Sequence, residues 1–110
     1  MSKSINISTK DGQKYKLEFT RKTVKQMTEN GFRLEDVKDK PIIAIPELFA
    51  GAFLANHRYL KESIIDDMYK GITNKDELII TLIEMYREPI EALMNEPEEG
   101  EGNVGWEVSE

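Results

Sequence analysis

A chain of 110 residues and 12.7 kDa has the size of one domain, since domains commonly hold roughly 100 to 150 residues, and this excludes large two-lobed enzymes. Its 39% hydrophobic and 33% charged residues, with no cysteine and a formal charge of −6, describe a soluble globular protein and exclude fibrous, membrane-spanning and disulfide-stapled classes. The missing cysteines remove thiolate nucleophiles and sulfur-based zinc sites and suit a reducing compartment. Met1 to Asn6 holds a lysine with no apolar run after it, so no cleaved signal is expected. No stretch approaches the ~18 apolar residues of a membrane span.

Charge is segregated along the chain. Met1 to Lys40 holds ten Lys or Arg against six Asp or Glu, a balance of +4. Pro41 to Met94 holds five against nine, a balance of −4, so these two regions cancel. Asn95 to Glu110 has six glutamates and no base, and therefore carries the whole −6. Such a body favours oriented contact with a complementary surface, or head-to-tail self-association. It lacks the net basic footprint that wrapping a nucleic acid requires. Solvated surface charge is the plain alternative.

In chain order, Ile5 and Ile7 alternate with polar residues, and after Lys10-Asp11-Gly12 the alternation resumes at Tyr15, Leu17 and Phe19. Asp-Gly accepts the positive φ of a tight connection, so residues 4–20 read as a hairpin with one apolar face. A two-stranded hairpin is marginal alone, and helices must cover that face. Thr20 is a candidate cap for a helix over about 21–30, with Val24 and Met27 inward and Asn30-Gly31 as a left-handed stop. Phe32 to Lys40 reads as a charged connection containing one helical turn. The nearly uncharged run Ile42 to Ala55 reads as the buried central helix, placed over about 45–58 with Pro46 in its first turn. Gly51 in its middle lowers helix propensity by roughly 1 kcal/mol and predicts close approach of another backbone.

Ile64, Ile65, Met68 and Tyr69 give an amphipathic helix over about 62–70, stopped by Gly71. Asn74-Lys75-Asp76-Glu77 offers a capping box for a long helix over about 75–94, kinked at Pro89, with a stripe of Leu78, Ile79, Leu82, Ile83, Tyr86, Ile90, Leu93 and Met94. Residues 95–110 are rich in Glu, Gly and Pro and predict a flexible acidic tail. The fold class expected is α+β, mainly α, with 1–94 as a single domain.

Residues able to carry chemistry are few. His57, placed at the end of the central helix, lacks a partner histidine, a serine nucleophile or a glycine-rich elbow, and a structural role is the better reading. Asp66 and Asp67 are adjacent on a helix and point about 100° apart, so they cannot clasp one ion. Glu35, Asp36 and Asp39 lack the glycine and terminal glutamate of a calcium loop. Arg21, Lys22 and Lys25, with Lys14 and Lys16, could face phosphate, but Tyr15 and Phe19 fall on the buried parity and leave no exposed stacking rings. Trp106, an aromatic in an acidic tail, is either an anchor for a partner's groove or a residue folded back on its own domain.

The hairpin ending Tyr15-Lys16-Leu17-Glu18-Phe19-Thr20-Arg21-Lys22, followed by Met27, Gly31-Phe32, Lys40-Pro41, Leu48-Phe49-Ala50-Gly51-Ala52-Phe53 and His57, forms an ordered pattern. It continues through Ile64 to Tyr69 and Leu78 to Tyr86 to a tail closing on Trp106-Glu107. Over residues 13–110 this order resembles the tail assembly chaperones of long-tailed bacteriophages and prophages. The resemblance implies a non-enzymatic protein of the bacterial host cytoplasm that binds and solubilises the tape measure protein, helps recruit the tail tube protein and is absent from the mature virion. A longer form made by ribosomal frameshifting is common in that family. No catalytic residue, metal ligand or cofactor is implied.

The expected partners are therefore a tape measure protein and a tail tube protein, with a homo-oligomer also open; membrane and nucleic acid are disfavoured. The candidate partner-binding residues are Leu48, Phe49, Phe53, Tyr86, Ile90, Leu93 and Trp106, of which those that build the fold and those that meet the client are not separable in the sequence. The competing reading is a small acidic adaptor or regulatory protein, or a nucleic-acid mimic, whose tail occupies a basic partner.

Overall fold

A computed structural model describes residues 3–97, 100 and 102–109. In it an N-terminal antiparallel hairpin, β1 (Ile5–Ser8) and β2 (Lys14–Leu17), precedes five helices: α1 (Arg21–Glu29), α2 (Asp36–Asp39), α3 (Pro41–Gly51), α4 (Glu62–Gly71) and α5 (Lys75–Ala92). The architecture is α+β and mainly α, as the alternation and helical spacing predict. Ile5 pairs with Leu17 and Ile7 with Tyr15, so the apolar residues of both strands share one face. Gly12, at φ +87°, takes the left-handed position of the connection. The Thr9 hydroxyl donates to Asp11 and holds its carboxyl below the usual aspartate range.

Covering that face is the reason the helices assemble. Leu17 and Phe19 are buried against Val24, Met27, Phe32, Leu48, Phe49, Phe53, Leu82, Met85 and Tyr86 in one continuous core. Fully burying each such side chain contributes about 1.5–3 kcal/mol. Its aromatic residues meet edge to face in two groups. Phe19 and Phe32 stand 5.3 and 5.2 Å from Tyr86, and Phe49 stands 5.1 Å from both Phe53 and Tyr69. The Tyr86 hydroxyl is 3.3 Å from Thr28 Oγ1, which itself donates to the Val24 carbonyl, so the phenol is the donor.

The capping of α1 follows the sequence and is more complete than the sequence suggests. Thr20 Oγ1 accepts from the Thr23 amide and Thr23 Oγ1 accepts from the Thr20 amide, a reciprocal box. Gly31, at φ +95°, ends the helix as expected. Before α5 the expected box does not form. Asn74 adopts φ +60° and its amide donates to Glu77 Oε2 at 2.8 Å, so the two side chains bond each other instead of the backbone. The helix of α5 runs through Pro89 to Ala92.

The central helix departs most from expectation. It begins at Pro41 rather than near Ile45 and ends at Gly51 rather than near residue 58. Pro41 sits at the first helical position, where its missing donor has no intrahelical partner, and Lys40 before it stays outside helical geometry. Pro46 is thereby interior, and the carbonyl it leaves unbonded belongs to Ile42, which is exposed to water. The first turn is buried on one side only: Ile42 and Ile43 face solvent, while Ala44, Leu48, Phe49, Ala52 and Phe53 face the core. After Gly51 the chain coils in tight turns to residue 56.

Gly51 allows close approach, but of a side chain and not of a backbone. A Cβ there would overlap Sδ and Cε of Met27 from α1. Residues 95–97, 100 and 102–109 carry no helix or strand. The remaining positions of the tail, 98, 99, 101 and 110, and residues 1 and 2 of the domain lie outside the described residues.

Gly51→Ala should therefore destabilise the chain despite better helix propensity, because overpacking typically costs about 1–3 kcal/mol against a gain of roughly 1. In a Met27→Ala background the same change should stabilise by about 1 kcal/mol. Urea unfolding of the four proteins of this cycle measures the coupling; additive effects would show that Met27 does not fill that space.

Candidate functional site

Of the seven predicted partner-binding residues, the structure sorts four into the core. Leu48, Phe49, Phe53 and Tyr86 are at most 3% exposed, which corrects their assignment as contacts: they determine the fold and present no surface to a partner. Ile90, Leu93 and Trp106 are exposed, Trp106 at 87%. Trp106 is therefore not folded back on its own domain, and neither are Val104 and Val108.

The α5 stripe is two stripes. Leu82, Met85 and Tyr86 face inward, whereas Ile80, Ile83, Arg87 and Ile90 recur at intervals of three, four and three residues along a second side of the helix, with Ile83 at its border with the core and Met94 just past the helix end. At 100° per residue these four fall within a narrow arc, the spacing of a seam that pairs with another helix. Ile80, Ile90 and Met94 are exposed and Ile83 is half-buried. Beside the seam, Ile83 and Arg87 join Leu34, Val37, Lys38 and Asp39 in a groove of about 530 Å³ between α5 and the α2 region. A strip of isoleucines interrupted by Arg87 and flanked by Lys38, Glu84 and Glu91 has the make-up of a helix-docking surface. The exposed Ile42 and Ile43 form a further apolar surface at the start of α3, where Ile43 and Pro46 line a groove of about 470 Å³ with Phe32 and Leu54.

Reading the α5 residues as one stripe missed this second face. Its signal was present: Ile80, which that stripe leaves out, stands three residues before Ile83, and the seam is broken only by Arg87. The exposure of Ile42 and Ile43 had no comparable signal, because an uncharged run at helical spacing reads as buried.

His57 lies beyond the central helix, among turns, and the backbone uses its ring. Nε2 accepts from the Lys16 amide at 3.0 Å, and the imidazole stands edge-on to Tyr15 with centroids 5.1 Å apart. A nitrogen engaged as an acceptor in this way carries no proton. Asn56 Nδ2 donates to the Lys16 carbonyl at 3.2 Å, and the Glu18 amide donates to the Ala52 carbonyl at 3.0 Å. The turn after α3 thus closes the outer edge of β2. Among the described residues no group of three or more His, Asp or Glu is arranged to hold a metal ion. Asp66 and Asp67 are both exposed. Burial, with Asp76 adding to it, pushes the Tyr69 phenol above its ordinary value, and Lys75 Nζ lies 5.5 Å over that ring. No helix of the described residues is long and apolar enough to cross a membrane.

The fold is thus a hairpin laid on a small helical body, with exposed apolar strips on two helices. The chain belongs to the DUF5055 family, described as a domain of unknown function, whose match spans residues 1–110. Neither the curated proteins nor the solved structures compared with it give a match.

Replacing Ile80 or Ile90 with glutamine should change unfolding free energy by no more than about 0.5 kcal/mol, as expected of a surface site. Leu82→Ala should cost about 2–5 kcal/mol. His57→Ala should fall between, at about 1–2 kcal/mol for the hydrogen bond and the ring contact. Chemical denaturation of the four variants decides whether the outer seam is free of the core.

Proposed function

We propose that the chain is a tail assembly chaperone of a long-tailed bacteriophage or prophage. It binds the tape measure protein, keeps it soluble and helps recruit tail tube subunits in the host cytoplasm, without catalysing a reaction or entering the mature virion. The observation that carries this reading is the outer seam of α5. A regular helical stripe exposed on a small acidic domain matches the need of a long helical client, whose own apolar stripes lie open until the tube encloses them. Many weak, repeated contacts of this kind along one client add avidity that a single contact lacks. The order of sequence features from Tyr15 to Trp106 supports the same reading.

Coexpression with the tape measure protein of a phage or prophage that encodes this chain should raise that protein's soluble yield, and the two should copurify with more than one copy of this chain per client. Ile80→Gln combined with Ile90→Gln should weaken the complex about tenfold or more while leaving the fold intact. No gain in solubility together with no copurification would reject the chaperone reading.

A further inference from the structure

The two edges of the hairpin are treated differently. On β2 the outward amide and carbonyl of Lys16 are bonded by His57 and Asn56, and the Glu18 amide by Ala52. Because Lys16 points its polar groups outward, its partner across the ladder, Asn6, must also do so, and Ser8 follows by the alternation of antiparallel pairs. Among the described residues nothing bonds the outward backbone groups of Asn6 or Ser8. Exposed edges of this kind are templates for another strand.

The face of β1 is also incompletely covered. Ile5 and Ile7 are only half-buried, whereas Leu17 and Phe19 on the next strand are 0% and 3% exposed. Ile7 and Tyr15 line a groove of about 550 Å³ whose far wall is Ile64, Met68 and Ile72. An added strand of alternating pattern would send its apolar residues into this groove.

One segment of the chain has that pattern and no packing. Val104, Trp106 and Val108 alternate with Gly105 and Glu107, and all three are more than 75% exposed. The segment is acidic, as is the whole stretch 95–110 with its six glutamates, while residues 3–19 hold four lysines against two acids. Charge therefore favours their meeting. The tail does not lie on its own body: the radius of gyration is 16.6 Å, against about 13 Å for a compact chain of this length, with extents of 59 × 31 × 26 Å.

We infer that β1 is completed by a second copy of this chain, whose segment Asn103–Ser109 adds as a third strand on the free edge and seats Trp106 in the groove between the hairpin and α4. Main-chain bonds to Asn6 and Ser8 supply affinity, and the alternating side chains supply register. Each copy offers one edge and one tail, so the contact is heterologous and extends into chains of copies unless a pair exchanges tails reciprocally. The inference is independent of the client reading, since it uses neither the α5 seam nor a client.

Sedimentation of the full chain from micromolar to millimolar concentration tests it. Mass should rise above the 12.7 kDa monomer, and hydrogen exchange at the Asn6 and Ser8 amides should slow as it does. Trp106→Ser, in a residue that packs on nothing, should weaken association about tenfold or more with an unchanged far-UV spectrum. Asn6→Pro should act likewise, because it removes an outward N–H that the hairpin does not use. If that variant fails to fold, Trp106→Ser decides. A monomer throughout the range, association indifferent to Trp106→Ser, or edge amides equally protected in a dilute monomer would each overturn the inference, the last by assigning the edge to the chain's own tail.

Discussion

The structure depends on the burial of Leu17 and Phe19. A four-residue strand pair holds too little hydrogen bonding to persist in water, so the hairpin exists only where its apolar face is covered. The cover comes from three separate stretches of chain: Val24 and Met27 of α1, the run from Leu48 to Phe53, and Leu82 to Tyr86 of α5. Tyr15 links the hairpin to the second stretch through Phe53 and His57, and Phe19 links it to the third through Tyr86. The lone histidine belongs to this constraint. It fastens an edge that would otherwise be open, and its ring stands edge-on to Tyr15 where the hairpin meets the turn after α3.

Much of this was legible because local chemistry and packing agree. Alternation at Ile5, Ile7, Tyr15, Leu17 and Phe19, broken by Asp11-Gly12, gives the hairpin and its face. Thr20 and Gly31 bracket α1. The exchange of side-chain bonds between Asn74 and Glu77 was not legible, because the same residues that satisfy a capping pattern can bond each other when the first takes a left-handed backbone. The bounds of α3 were misplaced for a related reason. Two prolines five residues apart can each open a helix, and only the tertiary setting, with Ile42 left in water, makes the earlier one the start.

The candidate site was half legible. Leu48, Phe49, Phe53 and Tyr86 are apolar at helical spacing, and that spacing marks core and docking face alike. What separates them is which side of each helix the hairpin occupies, a non-local fact. Once Leu82, Met85 and Tyr86 are committed inward, the 3-4 spacing of Ile80, Ile83, Arg87 and Ile90 stands out as a second face, of which only Ile83 also packs on the core. Natural surfaces carry scattered apolar residues without consequence; a regular seam bordered by charge is a different matter, and it is the feature on which the chaperone reading rests.

The most direct measurement is site-specific photocrosslinking in cells that also produce the proposed client, a phage tape measure protein. A benzophenone side chain placed at Ile90 should join the chain to that protein, while one placed at Asp66, exposed on α4 and away from both apolar surfaces, should not. Equal capture from both positions, or capture from neither, would contradict the account.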